Sequence, residues 1–440
     1  MLIGGYQKMQ GKIIQVEERV PLGKGIALSL QHMFAMFGAS VLVPILFGIN
    51  PGVVLLMNGI GTLIFIFITK GRAPAYLGSS FAFLAPVFMI IGNGSALDSS
   101  KYPLALGGFV TVGIVIIIVS LIIKLFGTKW IDIILPPAAM GPVVALIGLT
   151  LAGTAAQNGG LPVTGVELSR IDYRNVVVFC ITLLIAVFGS VLFRKFLAVI
   201  PILIAIIVGY IAAACFGLVN FDAVRTAALF TLPDFQTPIF DLNAILIILP
   251  AALVIVTEHI GHQMVTGKIV GRDLIKDPGL HRSLLSDGVS TALSGFVGAV
   301  PTTTYGENIG VMAITKVYSV WVIGGAAVIS IIVAFIGPVS GLIQAMPWCV
   351  IGGVSFMLYG MIAASGLRLL VEAKVDYSKS RNLALTAVVL VTGLSNAYIP
   401  ISSSFQLSGL TLATIIGMVL GLVFWLLDKA KLTNDRESAK

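Results

Sequence analysis

The chain has 440 residues, 58% hydrophobic and 10% charged, with a formal net charge of +8. A soluble domain carries roughly 25% charged residues, so this composition cannot cover a water-facing surface and argues against a soluble enzyme. Apolar runs recur along the whole length, and about 20 apolar residues cross the hydrocarbon core as a helix, so the chain reads as an all-α polytopic membrane protein.

The opening stretch MLIGGYQKMQGKIIQVEERVPLGKG mixes both charge signs and has no short apolar core followed by a small-residue cleavage site. No removable signal peptide is expected, and the first span serves as the insertion signal. Apolar spans follow at 25–47, 52–69, 75–92, 103–126, 133–153, 175–193 and 197–218, then 242–265, 283–299, 302–316, 318–336, 341–366, 381–396 and 408–428. The expectation is therefore 14 transmembrane segments. The third and tenth differ from the rest, being short and carrying Gly, Ser, Thr, Pro and Tyr where Leu and Ile are expected. Cys180, Cys215 and Cys349 lie within or beside apolar runs without CxxC spacing, and read as small packing residues rather than a disulfide or metal set.

An even number of crossings puts both termini on one side. With residues 1–24 and 429–440 cytoplasmic, 23 of the 27 Lys and Arg fall inside, leaving only Lys101, Arg170, Arg174 and Arg225 outside. That is the asymmetry of the positive-inside rule. The positive charge then belongs to the cytoplasmic face and needs no nucleic acid partner.

Seven spans in each half give the halves opposite orientation, as in the inverted repeats of secondary transporters. The first repeat covers 25–230 and the second 241–428. A faint echo supports this: Gln31 to Ser80 and Glu258 to Glu307 are both 49 residues apart. Those spacings place YLGSSFAFLAP (76–86) opposite PTTTYGENIG (301–310). Non-helical backbone at membrane depth survives only inside protein or beside a wet cavity, so the two segments are expected to pair as short antiparallel strands in spans 3 and 10 and to continue as half-helices. The N-termini of the half-helices carry partial positive charge near the midplane.

Two carboxylates fall inside apolar spans, Glu258 in the eighth and Glu307 at the start of the helical part of the tenth. A charge at the membrane centre costs at least about 2.5 to 3.5 kcal/mol, which makes both functional candidates; the alternative is a carboxyl that caps a broken helix or bonds nearby backbone. His262 is one turn after Glu258 on the same face, and the two can hold a proton between them or bond a neighbouring helix. His259 lies about 100° round the helix from Glu258 and reads as structural. His32 is expected to brace the third span by bonding Ser80 or Tyr305. His281 reads as a solvated loop residue, and Asp287, near Arg282, as interfacial. The order EHxxH does not match the HExxH zinc pattern, so no metal and no cofactor are expected. Carboxylates, backbone amides and Phe81 suit a small planar heterocycle, and two carboxylates also suit a cation. An inorganic anion suits the helix ends but not the glutamates. The residues alone point to proton-coupled uptake of a small polar solute.

ENIGVMAITK resembles the signature of the nucleobase-ascorbate transporter family, and Gln31-His32 its first-span motif. SLQHMFAMFG, YLGSSFAF, TEHIGH, DPGLHRS, TTTYGENIGVMAIT and KVDYSKS are similar to the bacterial uracil permease branch. Lys316 stands where Arg is commoner, and Thr257 where Ala is frequent. The resemblance implies a core domain of spans 1–4 and 8–11 and a gate domain of spans 5–7 and 12–14, alternating access, uracil and protons as partners, a homodimer, and the inner (plasma) membrane as location. It also implies that Glu258 and Glu307 bind the ring, with the backbone at Phe81 and Gly306 bonding its carbonyls. Glu307, Glu258 and His262 would couple protons, and His262 would touch the substrate. His32, Ser80 and Tyr305 would brace the site. The rivals are a carrier of xanthine, a sulfate or bicarbonate exchanger of the same seven-plus-seven plan, a channel, and a membrane enzyme for which no nucleophile or metal set is present in the sequence.

Overall fold

The computed structural model describes residues 13–92, 97–162, 171–194, 197–395, 397–400 and 406–434. The basic residues Lys8, Lys12, Arg170, Lys195, Arg436 and Lys440 of the orientation argument lie outside the described residues, as does half of each terminal tail.

Helix α1, Leu22–Phe47, ends at Gly48, whose φ of 65° is the left-handed conformation that glycine adopts without a Cβ clash. α2, Pro51–Ile68, starts with proline at its first position and Asn50 as N-cap, the Asn50 Oδ1 accepting from Gly52 N at 2.7 Å. Strand β1, Leu77–Ser79, runs through a 3-10 turn at Phe81–Phe83 into α3, Leu84–Ile91. α4 (Tyr102–Phe126), α5 (Pro137–Asn158), α6 (Tyr173–Leu192) and α7 (Pro201–Cys215) follow. The second half holds α8 (Ala251–Val270), α9 (Leu280–Val297), strand β2 (Thr302–Thr304), α10 (Gly306–Thr315), α11 (Val320–Ala334), α12 (Trp348–Glu372) and α13 (Ser380–Leu394). A second strand pair, β3 (Tyr398–Pro400) with β4 (Gln406–Ser408), precedes α14 (Gly409–Lys429).

Among the described residues eight helices are long and apolar enough to cross a bilayer, and four shorter ones of 10–17 residues are apolar. α9 and α10 belong to neither group. α10 has only 10 residues, and α9 carries Ser283, Ser286, Ser290, Thr291 and Ser294 on its buried face. Such polar helices are stable at membrane depth only inside protein.

The main helix pairs are α2 on α11, α4 on α9 and α5 on α12. Without a hydrophobic drive between helices in lipid, close approach depends on small residues. A Cβ on Gly366 of α12 would lie 2.5 Å from the Gly141 carbonyl oxygen of α5, one on Gly113 of α4 2.5 Å from Ala292 N of α9, and one on Gly59 of α2 2.6 Å from the Ala327 oxygen of α11. The core runs through these contacts, from Phe47 and Phe83 to Phe109, Ile255 and Tyr359. Of the cysteines read as packing residues, only Cys349 is buried. Cys180 and Cys215 are exposed, because α6 and α7 turn those faces away from the bundle.

Residues 14–18 lie along the link between α10 and α11. Tyr318 N donates to Ile14 O at 2.9 Å and Val320 N to Val16 O at 2.9 Å. Arg272 Nη2 donates to Glu17 Oε2 at 2.8 Å, and this guanidinium holds the Glu17 carboxyl below the usual carboxylate range. A depressed carboxyl stabilises the fold above its unfolded value and loses that contribution as pH falls through its folded value. With side chains 37% and 54% exposed, the pair is worth at most about 1 kcal/mol. Glu17→Gln should therefore lower the melting temperature slightly at neutral pH, and the difference from wild type should vanish in thermal unfolding runs taken progressively below about pH 4.5.

Candidate functional site

β1 and β2 pair antiparallel with Leu77 opposite Thr304, Gly78 opposite Thr303 and Ser79 opposite Thr302. The ladder extends at both ends, with Tyr305 N donating to Tyr76 O at 3.0 Å and Ser80 N to Pro301 O at 2.9 Å. Two three-residue strands leave outer edges whose backbone groups would be costly in hydrocarbon. Threonines on the flanking helices meet them. Leu77 N donates to Thr62 Oγ1 of α2 at 2.9 Å, and Thr291 Oγ1 of α9 donates to Thr302 O at 3.1 Å.

Alternation along β2 sends its threonines to different partners. Thr302 Oγ1 donates to Ser290 Oγ at 2.6 Å and Thr303 Oγ1 to Asp287 Oδ2 at 3.2 Å, while Thr304 Oγ1 is 3.1 Å from His262 Nδ1. Tyr305 lies flat on β1 and donates its hydroxyl to Ser79 O at 2.8 Å. A Cβ on Gly78 would fall 2.5 Å from Cζ and 2.8 Å from Cδ2 of that ring, so only glycine fits.

Both strands lead directly into helix starts. Ser80 Oγ accepts from Ala82 N at 3.4 Å as the chain enters the Phe81 turn. α10 begins at Gly306, and Glu307 sits in its first turn, where the helix dipole favours a negative charge. α8 packs against the Phe81 turn, β2 and α10, which brings Glu258 and His262 to the same place. Glu258, His262, Glu307 and Phe81 are half-buried, and Gly306 is exposed. The Cβ position of Gly306 is 3.4 Å from His262 Nε2, so a side chain there would press on the imidazole. Glu258 makes no hydrogen bond to protein among the described residues, although it lies within Coulombic range of Glu307 and Asp287. A half-buried carboxylate at membrane depth without a protein donor is an acceptor open to a ligand.

Two expectations are corrected here. His32 bonds neither Ser80 nor Tyr305; Asn308 Nδ2 donates to its carbonyl oxygen and lies beside its Nδ1, both at 3.1 Å. The buried face of α1 meets α10 one turn beyond the strand, so His32 braces the half-helix that carries Glu307 rather than the third span. Asp287 is not interfacial. It is 0% exposed and 2.8 Å from His259 Nδ1, while His259 Nε2 is 2.8 Å from Ser283 Oγ. α9 starts at Leu280, so Asp287 lies two turns inside the helix and about 140° round from the partly exposed Arg282. The Ser/Thr stripe of α9 was the available signal: a span with that many hydroxyls has a protein-facing side, and Asp287 lies on it.

An open cavity of about 310 Å³ lies elsewhere, beside Asn50, Thr226, Thr231, Ser340 and Gln344 at the N-terminal end of α2. Chemistry rather than volume marks the candidate site. Broken helices meeting at paired strands, with intramembrane carboxylates beside them, define a polytopic membrane transporter.

Comparison with known proteins narrows that class. Residues 23–402 match the Xan_ur_permease model, described as "Permease family". The chain is 55% identical over 428 residues to "Uracil permease" of Paenibacillus larvae subsp. larvae, covering 97% of this chain and 100% of that one. It is 53% identical over 421 residues to "Uracil permease" of Escherichia coli K12, covering 96% of each. Among solved structures, "The transmembrane domain of a cyanobacterium bicarbonate transporter BicA" superposes with a TM-score of 0.60 at 15% identity, covering 94% of this chain and 99% of that one, a likeness of fold alone. The chain belongs to this permease family, the nucleobase-ascorbate transporters, whose members carry solutes and are not enzymes.

Gly78→Ala tests the strand geometry. Forcing a methyl into the Tyr305 ring should cost about 1–3 kcal/mol of stability, read as a lower melting temperature in detergent, and Tyr305→Ala in the same chain should recover part of the loss.

Proposed function

We propose that the protein imports uracil by proton symport across the cell inner (plasma) membrane. The observation that carries this reading is Glu258, a half-buried carboxylate on α8 left without a protein partner among the described residues, beside Glu307 at a helix start. The names of the relatives, at 53% and 55% identity, supply the substrate. Uracil presents two ring N–H donors and two carbonyl acceptors. In this reading the N–H groups donate to Glu258 and Glu307, and the backbone amides at Phe81 and Gly306 donate to the carbonyl oxygens. His262, fixed through Thr304, touches the ring or passes the proton, and Glu307 carries the proton that couples transport to the gradient. His32, Ser80 and Tyr305 hold the helix starts in place.

The proposal includes 14 spans in two inverted repeats, 25–230 and 241–428, with both termini cytoplasmic. Spans 1–4 and 8–11 form the core, spans 5–7 and 12–14 the gate, and rocking of one against the other exposes the site to each side in turn. The packing pattern supports it. Exchanging repeats maps span 2 onto 9 and 4 onto 11, so the pairs α2–α11 and α4–α9 exchange with each other, while α5–α12 and β1–β2 map onto themselves. Thr62 and Thr291, which close the two strand edges, stand on the exchanged spans 2 and 9. A homodimer in the membrane is part of the reading by family resemblance.

Proteoliposomes loaded with purified protein test it: an inward proton gradient should drive accumulation of labelled uracil, excess xanthine should compete poorly, and uptake indifferent to the gradient would remove the symport reading. Glu258→Gln removes a charge-assisted acceptor worth about 1.5–3 kcal/mol, so equilibrium binding should weaken roughly ten- to hundredfold. Glu307→Gln should keep measurable binding but lose gradient-driven accumulation, and normal accumulation by that variant would assign the coupling elsewhere.

A further inference from the structure

We propose that core and gate are joined by a paired hinge at the end of the bundle where α2 begins and α11 ends, and that the chain linking the two repeats travels with the core. The inference rests on the core-and-gate division proposed above, in which the chain passes from one body to the other in 127–136, in 216–241 and in 335–347. From residue 229 onward the second passage is fastened to the ends of core helices. Thr231 N donates to Phe335 O at 3.0 Å and Gly337 N to Leu229 O at 3.2 Å, flanking an antiparallel bridge of Phe230 with Ile336. The Phe230 and Phe335 rings stack with centroids 5.5 Å apart. At the cap of α2, Asn50 Nδ2 donates to Asp234 Oδ2 at 3.0 Å. Gln236 N then donates to Val297 O at the end of α9, and Ile239 N to Pro103 O at the start of α4. The ends of α11, α2, α9 and α4 thus hold one strap of chain.

The third passage joins the same body. Its short helix Gly337–Gln344 packs on α1, α2 and α11, with Ile343 buried beside Val41 and Leu55. The helix Asp222–Thr226 of the second passage lies across it, so close that a Cβ on Gly341 would fall 2.8 Å from Ala223 O. Further out along both passages the partners change. Leu218 and Val219 pack with Val178 of α6, Ala213 of α7 and Val350 of α12, all of the gate, and Met346 packs against both groups. The change of body therefore falls in 217–221 on one passage and in 345–347 on the other. Tyr210 of the gate helix α7 meets both places, donating its hydroxyl to Leu342 O at 3.3 Å with its ring 6.1 Å from that of Phe221.

Two joints side by side define an axis about which one body can rock on the other. The first passage lies at the opposite end of the bundle and goes with the gate, since its helix Lys129–Ile134 packs on α14. Its bend falls at Gly127, which has a φ of 75° and nothing within 4 Å of its Cβ position. Hinges are short segments at the ends of elements that can change backbone angles without a clash, and each of the three places is of that kind.

Two disulfides test the hinge in a chain whose Cys180, Cys215 and Cys349 are replaced by alanine, with mass spectrometry to show that each bridge has closed. Facing residues of a non-hydrogen-bonded antiparallel pair have Cα atoms about 4.5 Å apart, inside the disulfide range of roughly 4.4–6.8 Å, so Phe230→Cys with Ile336→Cys can bridge the strap to the end of α11. Uptake should survive that bridge. Gly38→Cys with Ile202→Cys joins α1 of the core to α7 of the gate away from the joints, the Cβ position of Gly38 being 3.5 Å from Ile202 Cβ. This second bridge should stop uptake until it is reduced. Uptake lost through the first bridge and restored by reduction, or uptake unaffected by the second, would overturn the proposal. Spin labels give a readout that needs no transport. A label on Leu232 of the strap should keep one distance to Ile114 of α4, with or without uracil, while its distance to Val191 of α6 changes. A Leu232–Ile114 distance that moves, or a Leu232–Val191 distance that does not, would refute the hinge. Because both distances are read whether or not the chain couples uptake to protons, failure of the hinge and failure of the symport reading are told apart.

Discussion

Backbone hydrogen bonding in a medium without water is the constraint on which the rest of this structure depends. Strands β1 and β2 are only three residues each, and an isolated pair of that length would leave half of its amides and carbonyls bare. The surrounding sequence answers each exposed edge with a specific hydroxyl, Thr62 on one side and Thr291 on the other, and the ends of the ladder close through Tyr76, Ser80, Pro301 and Tyr305. The polar residues that looked misplaced in apolar spans thus complete the broken backbone. With the strand backbone satisfied, the chain can begin a helical turn at Phe81 and another at Gly306 on either side of the strand pair.

Ionisable side chains lie on both faces of the strand pair. Glu258, His262 and Glu307 are half-buried beside the strand pair. Behind β2 lie His259 and Asp287, fully enclosed, linked to the strand by Thr303. The alternating pleat of a strand makes this separation natural, since consecutive residues must point to opposite faces. Thr303 and Thr304 are neighbours in sequence, yet one bonds the sealed carboxylate and the other the imidazole beside the binding face. The strand therefore links the position of the enclosed pair to that of His262.

Much of the site was legible because buried polar residues are rare in apolar sequence. Glu258, Glu307 and the runs YLGSS and TTTYGENIG stand out against Leu and Ile, whereas the packing of the Tyr305 ring on Gly78 came only from the fold. What sequence reading misplaced turns on which way a side chain faces around its helix, which chain order does not show. Asp287 was read against Arg282, five residues away, but on a helix those two side chains are about 140° apart and one faces protein while the other does not. His32 was expected to bond Ser80 or Tyr305, whereas helix α1 presents it to Asn308 in the first turns of α10. Cys180 and Cys215 were read as packed because they lie in apolar runs, but in a membrane an apolar position faces protein or lipid equally well.

From the sequence alone come the membrane environment, the helical class, the broken segments and the intramembrane carboxylates, because each reflects a local free-energy cost that hydrocarbon imposes on individual residues. Only the tertiary structure decided which side chains share a face at the strand pair, that β1 lies against β2 in the register Gly78 to Thr303, and that His259 and Asp287 are sealed from the site. Those facts are settled by how helices far apart in the chain, α2 with α11 and α4 with α9, approach through glycine contacts. A hydropathy pattern sets the depth of a residue in the bilayer; the partner it meets there depends on rotation about the helix axis, which packing alone determines.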